Sequence, residues 1–302
     1  MSEEMPEVTP GETIVDAVER VIVAVRNLAE AEEVYTRILG RMPSWRHRDP
    51  GGGTAHVVFR LDNMSLELVE PVNGGPWGKV TSRYLDGRGE GVMTLVLRTP
   101  DAEKAARALT AIGLAAVALP QGEARDGSRV RSWRNVLMPT SLTRGVSLLL
   151  TDETSRRENL PPAELREGVA AADAISALDH IVIMTADAEA MKVLLGDKLG
   201  IRLALDQSKP EWGVRQLFFR LGGVTIEVVE PLDKAKAPAD DHYWGLAWKA
   251  GNVATMRERL MRDGVEVSDV RRGRKKGTEV ATLRPPTMGI PTLLVGPVPA
   301  AD

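Results

Sequence analysis

The sequence predicts an α+β protein assembled from four βαβββ modules arranged in two pairs. Three observations predict it. Val18–Val72 and Leu178–Leu232 align without a gap at a displacement of 160 residues, pairing Leu39 with Leu199, Gly40 with Gly200, Phe59 with Phe219, Arg60 with Arg220, Glu67 with Glu227 and Pro71 with Pro231. A match of that length is an internal repeat. Each copy runs from a short apolar strand into an amphipathic helix and then into further strand-like runs. The other two quarters, Gly91–Leu150 and Trp244–Val295, have the same layout, with Leu109 and Gly113 matching Leu260 and Gly264 at a shift of 151 residues.

Val18–Val25 reads as the first strand and Leu28–Leu39 as its helix, with Asn27 and Glu30 at capping-box spacing. Arg46–Gly53 reads as a charged loop, because three consecutive glycines are costly to order. Strands His56–Leu61 and Met64–Val69 complete the module, and Asn73–Gly89, with Trp77, reads as a long connection. Gly87, Gly89 and Gly91 lack the spacing and the strand-turn-helix context of a nucleotide loop. Val92–Arg98 is the next strand and Asp101–Ile112 the next helix, followed by strands Val130–Val136 and Val146–Leu150. Thr151–Ser176, with Pro161-Pro162 and an alanine run, reads as a linker containing a helix at Ala163–Ala172.

In the second half, strand Leu178–Met184 leads to a helix capped by Asp187. Met191, Leu194, Leu195 and Leu199 form its apolar face, and Gly200 ends it. Strands are expected near Arg202–Leu205, Val214–Leu221 and Val224–Val229, the last two joined at Gly222-Gly223. The last quarter supplies strand Leu246–Ala250, helix Val253–Asp263 and strands Val265–Val267, Val280–Arg284 and Pro291–Val295. The expected division is a tail at 1–14, a first domain at 15–151, a linker at 152–176 and a second domain at 177–298.

Composition removes several classes of function. The absence of cysteine excludes disulfides, thiolate nucleophiles and Cys-ligated zinc or iron–sulfur clusters. A net charge of −3 gives no reason to expect nucleic acid or an anionic membrane as partner. The acidic start, MSEEMPEVTPGE, lacks the apolar core of a secretory signal, and no run approaches the ~20 apolar residues of a membrane span. The expectation is a soluble cytoplasmic protein with a loose N-terminal tail.

Two polar residues interrupt apolar strands: His180 in Leu178–Met184 and Glu227 in Val224–Val229. An imidazole and a carboxylate on neighbouring strands make half of a metal site, or a buried hydrogen-bonded pair. In the first copy Arg20 stands where His180 stands, and Arg20 beside Glu67 reads as an ion pair. His47 and His56 read as solvated or locally hydrogen-bonded. Arg215 and Arg220 point to opposite faces of one strand, and one of them is a candidate for a substrate carboxylate. Trp212 and Trp244 flank loops and are candidates for lining a pocket, whereas Trp248 reads as core. The run Arg271-Arg272-Gly273-Arg274-Lys275-Lys276-Gly277-Thr278 is either a solvated hairpin or an anion clamp led by Arg271 and Arg274.

Paired βαβββ modules, a first strand D-H-I-V-I and a fourth strand I-E-V-V-E-P closely resemble the vicinal oxygen chelate superfamily, over nearly all of Val18–Pro297. That group includes glyoxalase I, methylmalonyl-CoA epimerase, extradiol dioxygenases and bleomycin-resistance proteins. The resemblance implies two tandem glyoxalase-like half-barrels, each with a concave face suited to a divalent metal that chelates substrate oxygens. The family's ligand positions map to His180, Glu227, Gly245 and Leu293 in the second pair, and to Arg20, Glu67, Thr94 and Leu149 in the first. The first site is thus degenerate. The second keeps two of four ligands, with His242 as the spare histidine nearby.

The cofactor implied is one divalent ion, zinc, nickel, manganese or iron, and no organic cofactor. The implied activity is that of a lyase or isomerase of glyoxalase or epimerase type on a small oxygenated anion, with Glu227 and His180 binding metal or shuttling protons. A metal-free binding protein of bleomycin-resistance type is the alternative. An extradiol dioxygenase ranks last, because its two histidines and glutamate map to His180, Gly245 and Leu293. Each pair of modules is joined covalently, so a monomer suffices to build both barrels and a homodimer is equally compatible.

Overall fold

The computed structural model describes residues 14–153 and 159–299. Most of the expected tail and residues 154–158 of the expected linker lie outside the described residues. The first half contains β1 (Ala17–Ala24), α1 (Leu28–Leu39), β2 (Trp45–Asp49), β3 (Thr54–Arg60), β4 (Ser65–Pro71), α2 (Pro76–Arg88), β5 (Gly91–Arg98), α3 (Ala102–Ala111), β6 (Val117–Ala118), β7 (Gly122–Asp126), β8 (Arg129–Leu137) and β9 (Ser147–Glu153). The second contains β10 (Leu178–Met184), α4 (Ala188–Lys192), β11 (Arg202–Lys209), β12 (Val214–Leu221), β13 (Val224–Pro231), β14 (His242–Lys249), α5 (Val253–Arg262), β15 (Arg271–Arg272), β16 (Thr278–Leu283) and β17 (Thr292–Pro297).

These strands form two sheets, β2-β3-β4-β1-β5-β9-β8-β6, with β7 on β8, and β11-β12-β13-β10-β14-β17-β16-β15. In each sheet the two modules join along their first strands, β1 antiparallel to β5 and β10 antiparallel to β14. Within a module the first strand is parallel to the fourth. Each sheet is therefore a curled half-barrel, and the chain is two such units in tandem.

The helices start where the sequence supplies caps. Asn27 accepts from the Glu30 amide at 3.2 Å, Asp101 from Lys104 at 2.9 Å and Asp187 from Ala190 at 3.0 Å. α1 ends at Gly40, whose φ of 67° is the left-handed conformation that glycine adopts without a Cβ clash. α4 is shorter than expected because it passes into a π-helical turn at Val193–Lys198.

Four further segments differ from expectation. Arg46–Asp49 belongs to β2, since pairing with β3 and full burial of Trp45 outweigh the polar composition; the glycines form the turn that follows. Asn73–Gly89 contains α2, with Pro76 at its start and Thr81 and Leu85 on its buried face. Gly78 obscures the helical pattern, yet a Cβ there would collide with the Asn73 carbonyl oxygen. Of the expected helix at Ala163–Ala172, only a single 3-10 turn at Ala171–Asp173 overlaps the end. Its backbone bonds instead to the first unit: Ala163 N to Arg60 O at 2.9 Å, Met42 N to Glu164 O at 2.8 Å and Arg166 N to Gly40 O at 3.0 Å. Val265–Val267 forms only a bridge to Leu283, and β15 takes the sheet edge instead.

A buried arginine fastens the two units. Arg259 of α5 donates to the carbonyls of Arg37, Ile38 and Asp173, the latter two at 2.9 and 3.1 Å, and it lies 3.3 Å from Asp263. Asn63 adds a two-way contact, donating to Leu178 O at 2.8 Å and accepting from Leu178 N at 3.0 Å. Arg259→Ala leaves one buried and two half-buried carbonyls without this donor, so we expect a loss of about 3 kcal/mol. Urea unfolding of the variant against the parent chain measures it.

Candidate functional site

Strand alternation decides what faces the inside of each half-barrel. Ile181, Ile183, Ile226, Val228, Leu246 and Trp248 are buried on the helix side of the second sheet. Their neighbours therefore face the concave side. His180 lies beside Thr225 and Ala247, Val182 beside Glu227 and Gly245, and Ala247 beside Leu293. All four positions that the sequence mapped as ligand sites thus share one inner face.

The polar centre of that face is Glu227. Its Oε1 accepts from Gln216 Nε2 at 2.6 Å, and its Oε2 lies 3.4 Å from His180 Nε2. The other imidazole nitrogen, Nδ1, is 2.8 Å from the Asp179 carboxylate. Burial pushes the Asp179 carboxyl up, but its bond to His180 and the charges of His180, Lys249 and Lys275 outweigh that and hold it below the ordinary range. Asp179 therefore stays ionised and orients the ring, leaving Nε2 to face Glu227 or a ligand. Gln216 was missed in the sequence. Its signal is parity: in β12 Gln216, Phe218 and Arg220 alternate with the core residues Leu217, Phe219 and Leu221.

The remaining donors do not complete a metal site. Among the described residues no three His, Asp or Glu side chains come together to hold an ion. A Cβ on Gly245 would lie 2.8 Å from the Pro291 carbonyl oxygen, so this position is closed by main chain. Leu293 supplies only hydrocarbon. His242, the expected third ligand, pairs in β14 with Met184, about 13 Å along β10 from His180. Its Nδ1 contacts Asp240 O at 2.9 Å. His180 and Glu227 alone fall short of the three protein ligands of a catalytic zinc site.

The expected substrate-binding residues separate. Arg215 is on the helix side, bonded to Asp206 at 2.6 Å and to Glu189, near the start of α4, at 2.6 Å, so it does not line the bowl. Arg220 does, on the cross-strand row Arg220, Thr225, His180, and it donates to Thr225 Oγ1. Trp244 occupies a bulge, between Tyr243 opposite Ile183 and Gly245 opposite Val182, and is 50% exposed, so it encloses nothing. Trp212 and Arg274 meet, the guanidinium 4.4 Å from the ring centroid, with Lys209 at 5.6 Å. Arg271 is at the sheet edge on the row Arg271, Val280, Val295, Lys249.

The first bowl is filled. Glu67 lies 3.5 Å from Arg20 and 2.8 Å from His56, whose other nitrogen is 2.7 Å from Thr54 Oγ1. Burial raises the Glu67 carboxyl, but Arg20 and His56 overcome this and hold it well below the ordinary range. His47 stacks on His56 at 4.3 Å and accepts from the Trp45 indole at 3.1 Å. Leu85 and Tyr84 of α2 pack on Ala24, Val69, Ile22 and Met93 of the same bowl. After β13 the corresponding stretch makes only a 3-10 turn at Lys234–Lys236, so the second bowl lacks this plug.

Two curled mixed sheets, each built from paired βαβββ modules with a polar pair on its inner face, define a tandem glyoxalase-type half-barrel protein. Residues 21–176 match the family described as glyoxalase-like domain, and residues 179–282 match the glyoxalase/bleomycin resistance protein/dioxygenase superfamily. The chain belongs to this vicinal oxygen chelate superfamily. No protein of curated function matches the sequence. Among solved structures, a variant of 4-hydroxymandelate synthase from Streptomyces coelicolor is similar at 14% identity, covering 96% of this chain and 95% of that one with a TM-score of 0.69. The Mn(II)-bound glyoxalase from Novosphingobium aromaticivorans is similar at 13% identity over 94% and 83%, with a TM-score of 0.60. At these identities the similarity establishes the fold.

Two outcomes follow from this geometry. Gly245→Ala forces a Cβ against main chain and is expected to cost about 1–3 kcal/mol, read from the denaturation midpoint. Burial, aided by His56, Arg131 and Arg20 and opposed by Glu67, lowers the His47 pKa from 6.5 to about 4. The folded state then holds fewer protons than the unfolded between those values, so stability is full above the upper one and falls as the pH drops towards the lower. His47→Gln is expected to flatten that slope, measured by chemical denaturation at several pH values between 7 and 4.5.

Proposed function

We propose that the chain is a glyoxalase-like lyase or isomerase that moves a proton on a small oxygenated anion bound in the second bowl. In this reading the first domain, residues 15–151, supports the fold and the second, residues 177–298, carries the site. The observation that supports it is the Asp179, His180, Glu227, Gln216 chain on the inner face of the second sheet, where the α2 helix of the first unit has no counterpart among the described residues. Gln216 fixes one carboxylate oxygen and leaves Oε2 directed at His180 and the bowl. Glu227 takes a proton from carbon next to a carbonyl, and His180, oriented by Asp179, exchanges a proton at Nε2 with the substrate oxygen. Arg220, two strands away, supplies a cation to a substrate carboxylate. Because the donor set does not fit a divalent ion, no step passes through one.

A second reading, stoichiometric binding without turnover, is favoured by the hydrocarbon and closed backbone at Leu293 and Gly245. The test is exchange of carbon-bound hydrogen with deuterated water, followed by NMR over a panel of 2-oxo and 2-hydroxy acids, with metal content measured alongside. We expect exchange that survives chelation and falls at least 100-fold in Glu227→Gln and in His180→Ala. Exchange unchanged in Glu227→Gln sinks the proposal, as does activity that needs added metal. Saturable binding without exchange establishes the second reading.

A further inference from the structure

We propose that the hairpin Arg271–Thr278, together with Trp212, is a binding site for a multiply charged oxyanion on the ligand of the second bowl. The inference rests on the second bowl being the ligand site. Arg271, Arg272, Arg274, Lys275 and Lys276 place five cations within six positions. Among the described residues none of the five makes an ion pair; Arg274 stacks on Trp212 and Lys275 acts on Asp179 only through its field. The counterpart hairpin of the first unit neutralises itself, Arg125 with Glu123 at 2.8 Å and Arg129 with Asp126. The two repeats therefore differ in the one property an anion reads. Glu279 stands opposite Arg272 in the β15–β16 pair without forming an ion pair, so five cations face one carboxylate, and an anion relieves the remaining repulsion.

Geometry places these cations at the bowl. β11 and β15 are opposite edges of the second sheet, so the Trp212 to Arg274 contact spans its open side. The turn is held in shape before any ligand arrives: Gly273 N donates to Thr278 O at 2.8 Å, and Thr278 Oγ1 donates to Lys275 O at 2.6 Å. A Cβ on Gly273 would collide with Thr278 Oγ1, which is why the turn closes so tightly. Arg271 lies on the cross-strand row Arg271, Val280, Val295, Lys249, and Lys249 is two residues along β14 from Ala247, the partner of His180. The ligand this arrangement fits has an oxygenated head at His180 and Glu227 and a tail of at least two negative charges, a phosphate ester or a polycarboxylate, at the hairpin. Trp212 carries Arg274 over its ring at 4.4 Å and Lys209 at 5.6 Å, and so holds two cations where the tail arrives.

The test is titration of the full chain with inorganic pyrophosphate and, separately, citrate, against sodium chloride at matched ionic strength, read by tryptophan fluorescence and by calorimetry. We expect saturable binding of at least one anion and no saturation by chloride, with Kd raised at least tenfold in the double variant Arg274→Gln with Lys275→Gln. Preference for pyrophosphate identifies a phosphate tail, and preference for citrate a polycarboxylate. Trp212→Phe is expected to remove most of the optical change while calorimetry still detects binding. A response matching chloride, or a Kd unchanged in the double variant, overturns the proposal. Glu227→Gln is expected to keep anion binding within threefold, so loss of the proton-transfer reading alone leaves this result standing.

Discussion

A curled sheet has an inner face that must be filled, and the two halves of this chain fill it differently. The outer faces are alike: Ile38 and Leu39 of α1 and Leu260 of α5 bury their faces in one continuous apolar core. Inside the first half-barrel, α2 covers one part and Arg20, Glu67, His56, His47 and Trp45 occupy the rest. Among the described residues the second has no such helix, and its inner residues are Gln216, His180 and Glu227 beside the small Gly245 and Ala247. A buried ion pair is weak evidence of stabilisation, because desolvation offsets most of its attraction. Arg20 and Glu67 are better understood as polar side chains that fill the inner face of a bowl partly covered by α2.

That difference was only half legible in the sequence. The internal displacement and the helix Leu28–Leu39 were readable because both depend on local periodicity and capping, and the structure reproduces the helix residue for residue. The Arg20–Glu67 ion pair was readable from one position, since Arg20 stands where the second copy has His180. The helix over the bowl was not. α2 carries Gly78 on its buried face, where close packing on Asn73 demands it, and a glycine inside a helical pattern reads as a break. Arg46–Asp49 was read as loop for a related reason, because β2 draws its order from cross-strand partners far away in sequence.

Within the second bowl, parity decided more than residue type. Arg215 and Arg220 are both arginines on β12, yet an odd spacing sends one to Glu189 on the helix side and the other to the row of His180. Trp244 escapes parity altogether, because the bulge between Tyr243 and Gly245 adds one residue to the strand. A period-2 reading of a β-strand holds only between bulges, and bulges carry no reliable sequence mark.

The same bulge bears on the metal question. Gly245 follows it immediately, and its backbone runs so close to Pro291 that a side chain has no room. Loss of a ligand there is therefore not a single exchange that a histidine would reverse; the strand β14 and the segment leading into β17 have closed together around the absence of a Cβ. Glu227 in turn is engaged on both oxygens, by Gln216 and by His180, a set of partners that suits a carboxylate working with protons and hydrogen bonds. On that inner face His180 and Arg220 share the cross-strand row through Thr225, and Arg220 brings a positive charge to it.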